Sequence, residues 1–222
     1  MSFITDLETA FNKKRNPENA ISMAKYMKNL FPFYGIKTVQ RREIFKEVYK
    51  TNKDELTQNF REIAWELFNK EFRELHYCGI EILIKNLKNN YQKDDIKLIE
   101  KLIVTNSWWD SVDTISKNIL GHYLIEFPEE TEKVIEHFSN SNNMWLNRSA
   151  ILFQLGYKKN TNYELLFSEC EKHSKSKEYF IQKAIGWALR EYGSTNPNLV
   201  INFVNATQLK PLSKKEALRK LI

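Results

Sequence analysis

The chain has 222 residues, 28% of them charged and 42% hydrophobic. That size and balance allow a folded protein with a sizeable core and exclude a disordered or membrane-embedded class. Lys and Arg number 34 against 28 Asp and Glu, a net charge of +6, which suits a polyanionic partner but is common among lysine-rich proteins. No run of about 18 apolar residues exists to span a bilayer. An early acid at Asp6 and the lack of an apolar stretch after Met1 predict no signal peptide. Cys78 and Cys170 stand alone, without a Cys-x-x-Cys pair, which predicts a reducing, cytoplasmic location.

From the N-terminus, Phe3, Leu7, Ala10 and Phe11 fall at i, i+4, i+7 and i+8 and predict one buried helical stripe. Asn16-Pro17-Glu18 puts an N-cap before a proline at N1. Phe31-Pro32-Phe33-Tyr34-Gly35 reads as the longest non-helical stretch. The helical period resumes with Ile44 and Val48 beside Phe45 and Tyr49, then Ile63 and Leu67 beside Ala64 and Phe68. It continues through Ile80, Leu83, Ile84, Leu87 and through Ile96, Ile99, Leu102, Ile103. Phe127-Pro128-Glu129 and Asn196-Pro197 repeat the proline signal, and Ser213-Lys214-Lys215-Glu216 reads as a capping box. No segment alternates like a strand. The prediction is all-α: about a dozen short helices whose pairs recur every roughly 35 to 45 residues. Such spacing predicts a curved stack of antiparallel helix pairs, a HEAT-like repeat solenoid forming a single domain over 1–222. Its concave basic face could receive a duplex.

Three segments carry candidate chemistry. In Ser107-Trp108-Trp109-Asp110-Ser111-Val112-Asp113, Ser107 is placed as N-cap and Asp110 as its N3 partner. Trp109 and Asp113 then share a face at i and i+4. This fits an indole platform beside a carboxylate, and equally a core tryptophan with a surface aspartate. Lys183, Trp187 and Arg190 fall at i, i+4 and i+7, presenting cation, indole, cation, or else a buried indole between solvated bases. Gly186 costs about 1 kcal/mol inside a helix and predicts a close backbone approach there. Arg148, in Trp145-Leu146-Asn147-Arg148, is either a phosphate-matching fork or a surface ion-pair partner. Lys210, Lys214, Lys215, Arg219 and Lys220 form a basic cluster that either joins a phosphate backbone or is a solvated tail. There is no phosphate loop, no dinucleotide fingerprint and no His-Glu-x-x-His, and His76, His122, His137 and His173 are scattered.

These segments carry a likeness. Trp108 to Asp113, Ile151-Leu152-Phe153-Gln154-Leu155, Phe180 to Trp187, Arg190-Glu191-Tyr192, Thr195-Asn196-Pro197 and Ala24 to Asn29 closely resemble the AlkD-type DNA alkylation repair glycosylases. That family consists of HEAT-like repeat proteins, and the likeness runs over most of the chain. It implies excision of N3- or N7-alkylated purines from double-stranded DNA by a monomer, without metal or cofactor, leaving an abasic site. By motif, Asp113 corresponds to the essential carboxylate, Trp109 and Trp187 to aromatics flanking the damaged nucleotide, and Arg148 to a DNA-backbone contact. Arg190, Lys183 and Tyr26 are expected to bind DNA as well. Thr38-Val39-Gln40-Arg41-Arg42 departs from the Thr-Pro-Glu-Arg usual there, and Asn147 sits beside Arg148. The alternative is a helical-repeat protein that holds damaged or branched DNA without chemistry.

Overall fold

The computed structural model describes residues 2–219 and 221; Lys220 of the basic cluster lies outside them. Among the described residues there are helices and no strand, and no helix is long and apolar enough to cross a membrane. The chain forms two compact units, one up to Tyr91 and one from Gln92 onward.

The first unit contains α1 (Phe3–Asn12), α2 (Pro17–Tyr26), α3 (Thr38–Thr51), α4 (Lys53–Phe68) and α5 (Arg73–Asn86). Phe3, Leu7 and Phe11 of α1 are fully buried, and α3 lies against α1 through Phe45, whose ring centre is 6.2 Å from that of Phe3. Leu56, Ala64, Leu67 and Phe68 of α4 meet Leu75, Ile82 and Leu83 of α5, all at or near zero exposure. Removing one such leucine would cost about 2–5 kcal/mol. Asn16 caps α2, accepting the Asn19 N–H at 2.9 Å ahead of Pro17, as expected.

The irregular stretch before α3 is held by a buried acid. Glu74, in the first turn of α5, accepts the backbone N–H groups of Tyr34, Gly35 and Ile36 at 3.0, 2.9 and 3.1 Å. Backbone donors that no helix could satisfy are thereby paired inside the protein. Gly35 has φ +86°, and a Cβ there would sit 2.0 Å from the Asn16 carbonyl oxygen, so only glycine fits.

The second unit holds α6 (Asp95–Val104), α7 (Trp109–Ile115), a π-helical turn (Ser116–Leu120) and α8 (Gly121–Glu126). After a 3₁₀ turn (Pro128–Glu130) come α9 (Thr131–Ser139), α10 (Met144–Leu152) and α11 (Tyr163–Lys172). The unit closes with α12 (Tyr179–Gly193), α13 (Pro197–Ala206) and α14 (Pro211–Leu218). Each of α10, α12 and α14 packs against the helix before it, and α12 packs against both α10 and α14. The three therefore form one layer and α9, α11 and α13 the other, the expected stack of helix pairs. Asn196 caps α13 before Pro197, as predicted.

Two caps differ from the sequence reading. α7 starts at Trp109 with Trp108 as its N-cap residue and no side-chain cap. The Ser107 hydroxyl instead donates to the Ile103 carbonyl at 2.6 Å, closing the open end of α6. α14 starts at Pro211 after Lys210, so Ser213 lies inside the helix, and its hydroxyl donates to the Gln182 carbonyl of α12 at 3.0 Å.

Candidate functional site

The register of α7 is set by its buried side. Ser111 and Val112 are inside, and the Ser111 hydroxyl donates to the Trp108 carbonyl at 3.1 Å. Trp109 and Asp113 then fall on the other face, one turn apart. At the next turn the Ser116 hydroxyl lies 2.8 Å from that of Ser149 on α10. These small side chains let the two helices approach closely enough for Asp113 and Arg148 to meet.

Arg148 grips Asp113 with two prongs: Nε donates to Oδ1 at 2.7 Å and Nη2 to Oδ2 at 2.9 Å. The Arg148 side chain is 5% exposed and that of Asp113 13%. Nη1 donates to the carbonyl of Phe180 in the first turn of α12, so one guanidinium ties three helices together. Burial pushes the Asp113 carboxyl above the usual aspartate range; the Arg148 hydrogen bonds and charge pull it back, and Asp110 adds a smaller upward push.

Around this pair stands an aromatic collar. The Trp108 ring lies 5.0 Å from Phe180 and 5.8 Å from Trp145, and Trp145 lies 5.1 Å from Phe180. The Arg148 guanidinium carbon sits 5.9 Å from the Phe180 ring centre. Trp108 Nε1 is buried and meets no acceptor among the described residues.

Further along α12, Trp187 is half-buried against the hydrophobic core shared with α13 and α14. It stands seven residues beyond Phe180, on the same face of the helix. Lys183 and Arg190 converge on Glu216 of α14: Lys183 Nζ lies 2.8 Å from Oε1 and Arg190 Nη1 2.6 Å from Oε2. Arg190 also donates to the Glu216 carbonyl at 2.8 Å. The Lys183 hydrogen bond, then that of Arg190, holds the Glu216 carboxyl below its usual range. Gly186 is where α14 closes in, as its cost predicted: a Cβ there would be 2.4 Å from that of Glu216.

The sequence matches the family model described as DNA alkylation repair enzyme over residues 7–221. The chain belongs to the DNA alkylation repair enzyme family. A solved structure titled a predicted DNA alkylation repair enzyme from Enterococcus faecalis is 31% identical, with a TM-score of 0.82 over 93% of this chain and 96% of its own. The crystal structure of AlkD2 from Streptococcus mutans, 13% identical, shares the fold with a TM-score of 0.61 over 83% of this chain and 90% of its own. No curated protein matches the chain.

In this member of the DNA alkylation repair family, the residues singled out from sequence fall into three groups. Asp113 and Arg148 are in direct contact, with Trp109 one turn before Asp113. Arg148 is buried and turned inward, so its donors address Asp113 and Phe180. Lys183 and Arg190, with Trp187 between them on α12, share a carboxylate. Tyr26 lies in the other unit, at the end of α2, and is 69% exposed. Sequence reasoning missed Trp108, Trp145 and Phe180 as the collar, and Glu216 as the counter-charge. The one available signal was Trp145 at i−3 to Arg148, on the same helix face.

Proposed function

We propose that this protein is a monofunctional DNA glycosylase that hydrolyses the N-glycosidic bond of cationic N3- or N7-alkylated purines in duplex DNA, leaving an abasic site. The observation that carries the reading is the largely buried, doubly anchored Asp113 carboxylate beside Trp109, in a chain of the DNA alkylation repair family. Alkylation at N7 or N3 makes the purine cationic, so the bond to C1′ breaks with the electron pair leaving on the base, which departs neutral. No general acid is required. Positive charge moves to the deoxyribose, where Asp113 stabilises it and orients a water. The water oxygen bonds to C1′ and its proton passes to the carboxylate and on to solvent. The indole faces of Trp109 and Trp187 add cation–π attraction to the sugar cation.

Arg148 acts on this chemistry through Asp113. A buried carboxyl without a partner would take up a proton, and the two-pronged pair keeps it charged and aimed. An electrostatic contributor of this kind is worth about 3–4 kcal/mol, or roughly 10²–10³ in rate. Neutral lesions such as uracil need an acid for departure and should remain intact.

The test is release of 7-methylguanine from methylated duplex DNA under single-turnover conditions, wild type against Asp113→Asn. A loss of about 10²-fold or more in the variant supports both the activity and the carboxylate. Release that survives in the variant overturns the role of Asp113. No release by either, with salt-sensitive DNA binding intact, makes the protein a non-catalytic binder of damaged or branched DNA.

A further inference from the structure

A second site lies one helical turn beyond Asp113, where α7 passes through the π-helical turn into α8. A cavity of about 570 Å³ opens there between Lys117, His122 and Ile125 on one side and Leu155, Gly156, Tyr157 and Asn160 on the other. Its size is that of an ordinary small-ligand pocket. π-helical turns are rare and collect at functional sites, and this one supplies Lys117.

Lys117 is the charged group that lines the cavity. Among the described residues no carboxylate pairs with Lys117. Glu191 of α12 reaches the far wall, where its carboxylate accepts the Gly156 N–H at 3.0 Å. The His122 ring donates from Nδ1 to the Asn118 carbonyl at 3.0 Å, which leaves Nε2 of the neutral ring an acceptor. Gly156 keeps the mouth clear: a Cβ at this position would lie 3.4 Å from Lys117 Cε and 3.9 Å from Nζ. Its φ of +94° also disfavours any side chain. Tyr157 is fixed by donating its hydroxyl to the Gly121 carbonyl. Beside these polar groups, Ile125 is 56% exposed and offers an apolar wall.

A cation beside an aliphatic wall matches a phosphate carrying a sugar. Four residues of helix advance about 6 Å, one to two nucleotide steps at about 3.4 Å of duplex rise each. We propose that this cavity holds one nucleotide of the nucleic-acid strand flanking the segment at Asp113. Its phosphate rests on Lys117, and its sugar lies against Ile125. The proposal rests on the DNA-glycosylase reading for its occupant. The same nucleotide phosphate chemistry could come instead from a free mononucleotide.

The experiment measures affinity of the full-length protein for an undamaged duplex over a salt series, by fluorescence anisotropy. Lys117→Gln should lower the slope of log K against log salt by about one. Lys133→Gln, on α9 and outside the cavity, should leave it unchanged. Ile125→Glu, a change at an exposed position, should weaken binding further than Lys117→Gln does. A wild-type slope in Lys117→Gln, or equal losses in Lys117→Gln and Lys133→Gln, overturns the strand proposal. In the second arm, deoxyadenosine monophosphate is titrated while the His122 ring protons are followed by NMR. Saturable shifts lost in Lys117→Gln, with a wild-type duplex slope, would assign the cavity to a free nucleotide; no shifts and no slope change would leave it without a nucleotide ligand. These readouts do not involve base release, so loss of the pocket and loss of the glycosylase reading are separable: a wild-type protein that binds no duplex at any salt refutes the latter.

Discussion

Replacing Arg148 by lysine keeps a positive charge in place but removes the fork. The guanidinium makes two hydrogen bonds to Asp113 and one to the Phe180 carbonyl. An ammonium on a shorter, rotatable stem can reach one carboxylate oxygen, so one prong and the tie to α12 are lost. Charge-assisted bonds of this type contribute about 1.5–3 kcal/mol each. If the loss of one prong falls on the transition state, release of 7-methylguanine should slow by roughly 10–100-fold. The pH dependence supplies a second readout. Burial already raises the Asp113 carboxyl, and Arg148 is the group that lowers it. The charged form therefore disappears, as pH falls, at a value above the ordinary aspartate figure of about 3.9. Weakening the Arg148 contribution moves that acid limb further upward. Single-turnover rates for wild type and Arg148→Lys across pH 4–9 (about one decade of rate resolved per pH unit on the acid limb) test both effects. A variant rate within threefold of wild type, with the acid limb unmoved, would refute the claim that Arg148 positions and ionises Asp113.

Two further outcomes follow from other carboxylates. Glu216→Gln removes the counter-charge shared by Lys183 and Arg190, so the salt slope of duplex binding should steepen by about one; an unchanged slope would place these two cations away from the DNA. Glu74→Gln leaves a single acceptor oxygen where two now serve three N–H groups. If that oxygen keeps Gly35 and Ile36, the Tyr34 N–H faces an amide NH₂, a buried loss of about 1–3 kcal/mol that urea unfolding would register. Unfolding at the wild-type urea concentration would contradict the latch.

How far the sequence could be read depended on whether the information was local. Phe3, Leu7 and Phe11, or Ile63, Ala64, Leu67 and Phe68, announce their buried faces because helical periodicity needs only neighbours within two turns. The proline-led caps at Asn16 and Asn196 are local as well, and both are present. Ser107 and Ser213 were misread because a hydroxyl takes whichever acceptor lies nearest. For Ser107 that is the Ile103 carbonyl at the open end of α6; for Ser213 it is the Gln182 carbonyl on α12. A capping-box pattern specifies neither neighbour.

The site follows the same division. Trp109 and Asp113 share a helix, so their shared face was legible. The Arg148–Asp113 grip joins residues 35 positions apart, and the Arg190–Glu216 pair joins residues 26 apart. Periodicity gives the face a residue occupies but not the helix that face meets. Gly186 shows the boundary: its cost demanded some close neighbour, and only the packing of α14 on α12 identifies Glu216. That identity changes the meaning of the net charge. Glu216 holds α14 against α12 through the same contacts that neutralise part of the Lys183 and Arg190 charge. Basicity available to a phosphate backbone and cohesion of the last helix pair are therefore coupled through one carboxylate. Glu216→Gln should raise duplex affinity and lower unfolding resistance together, whereas a substitution acting on surface charge alone would change only the first.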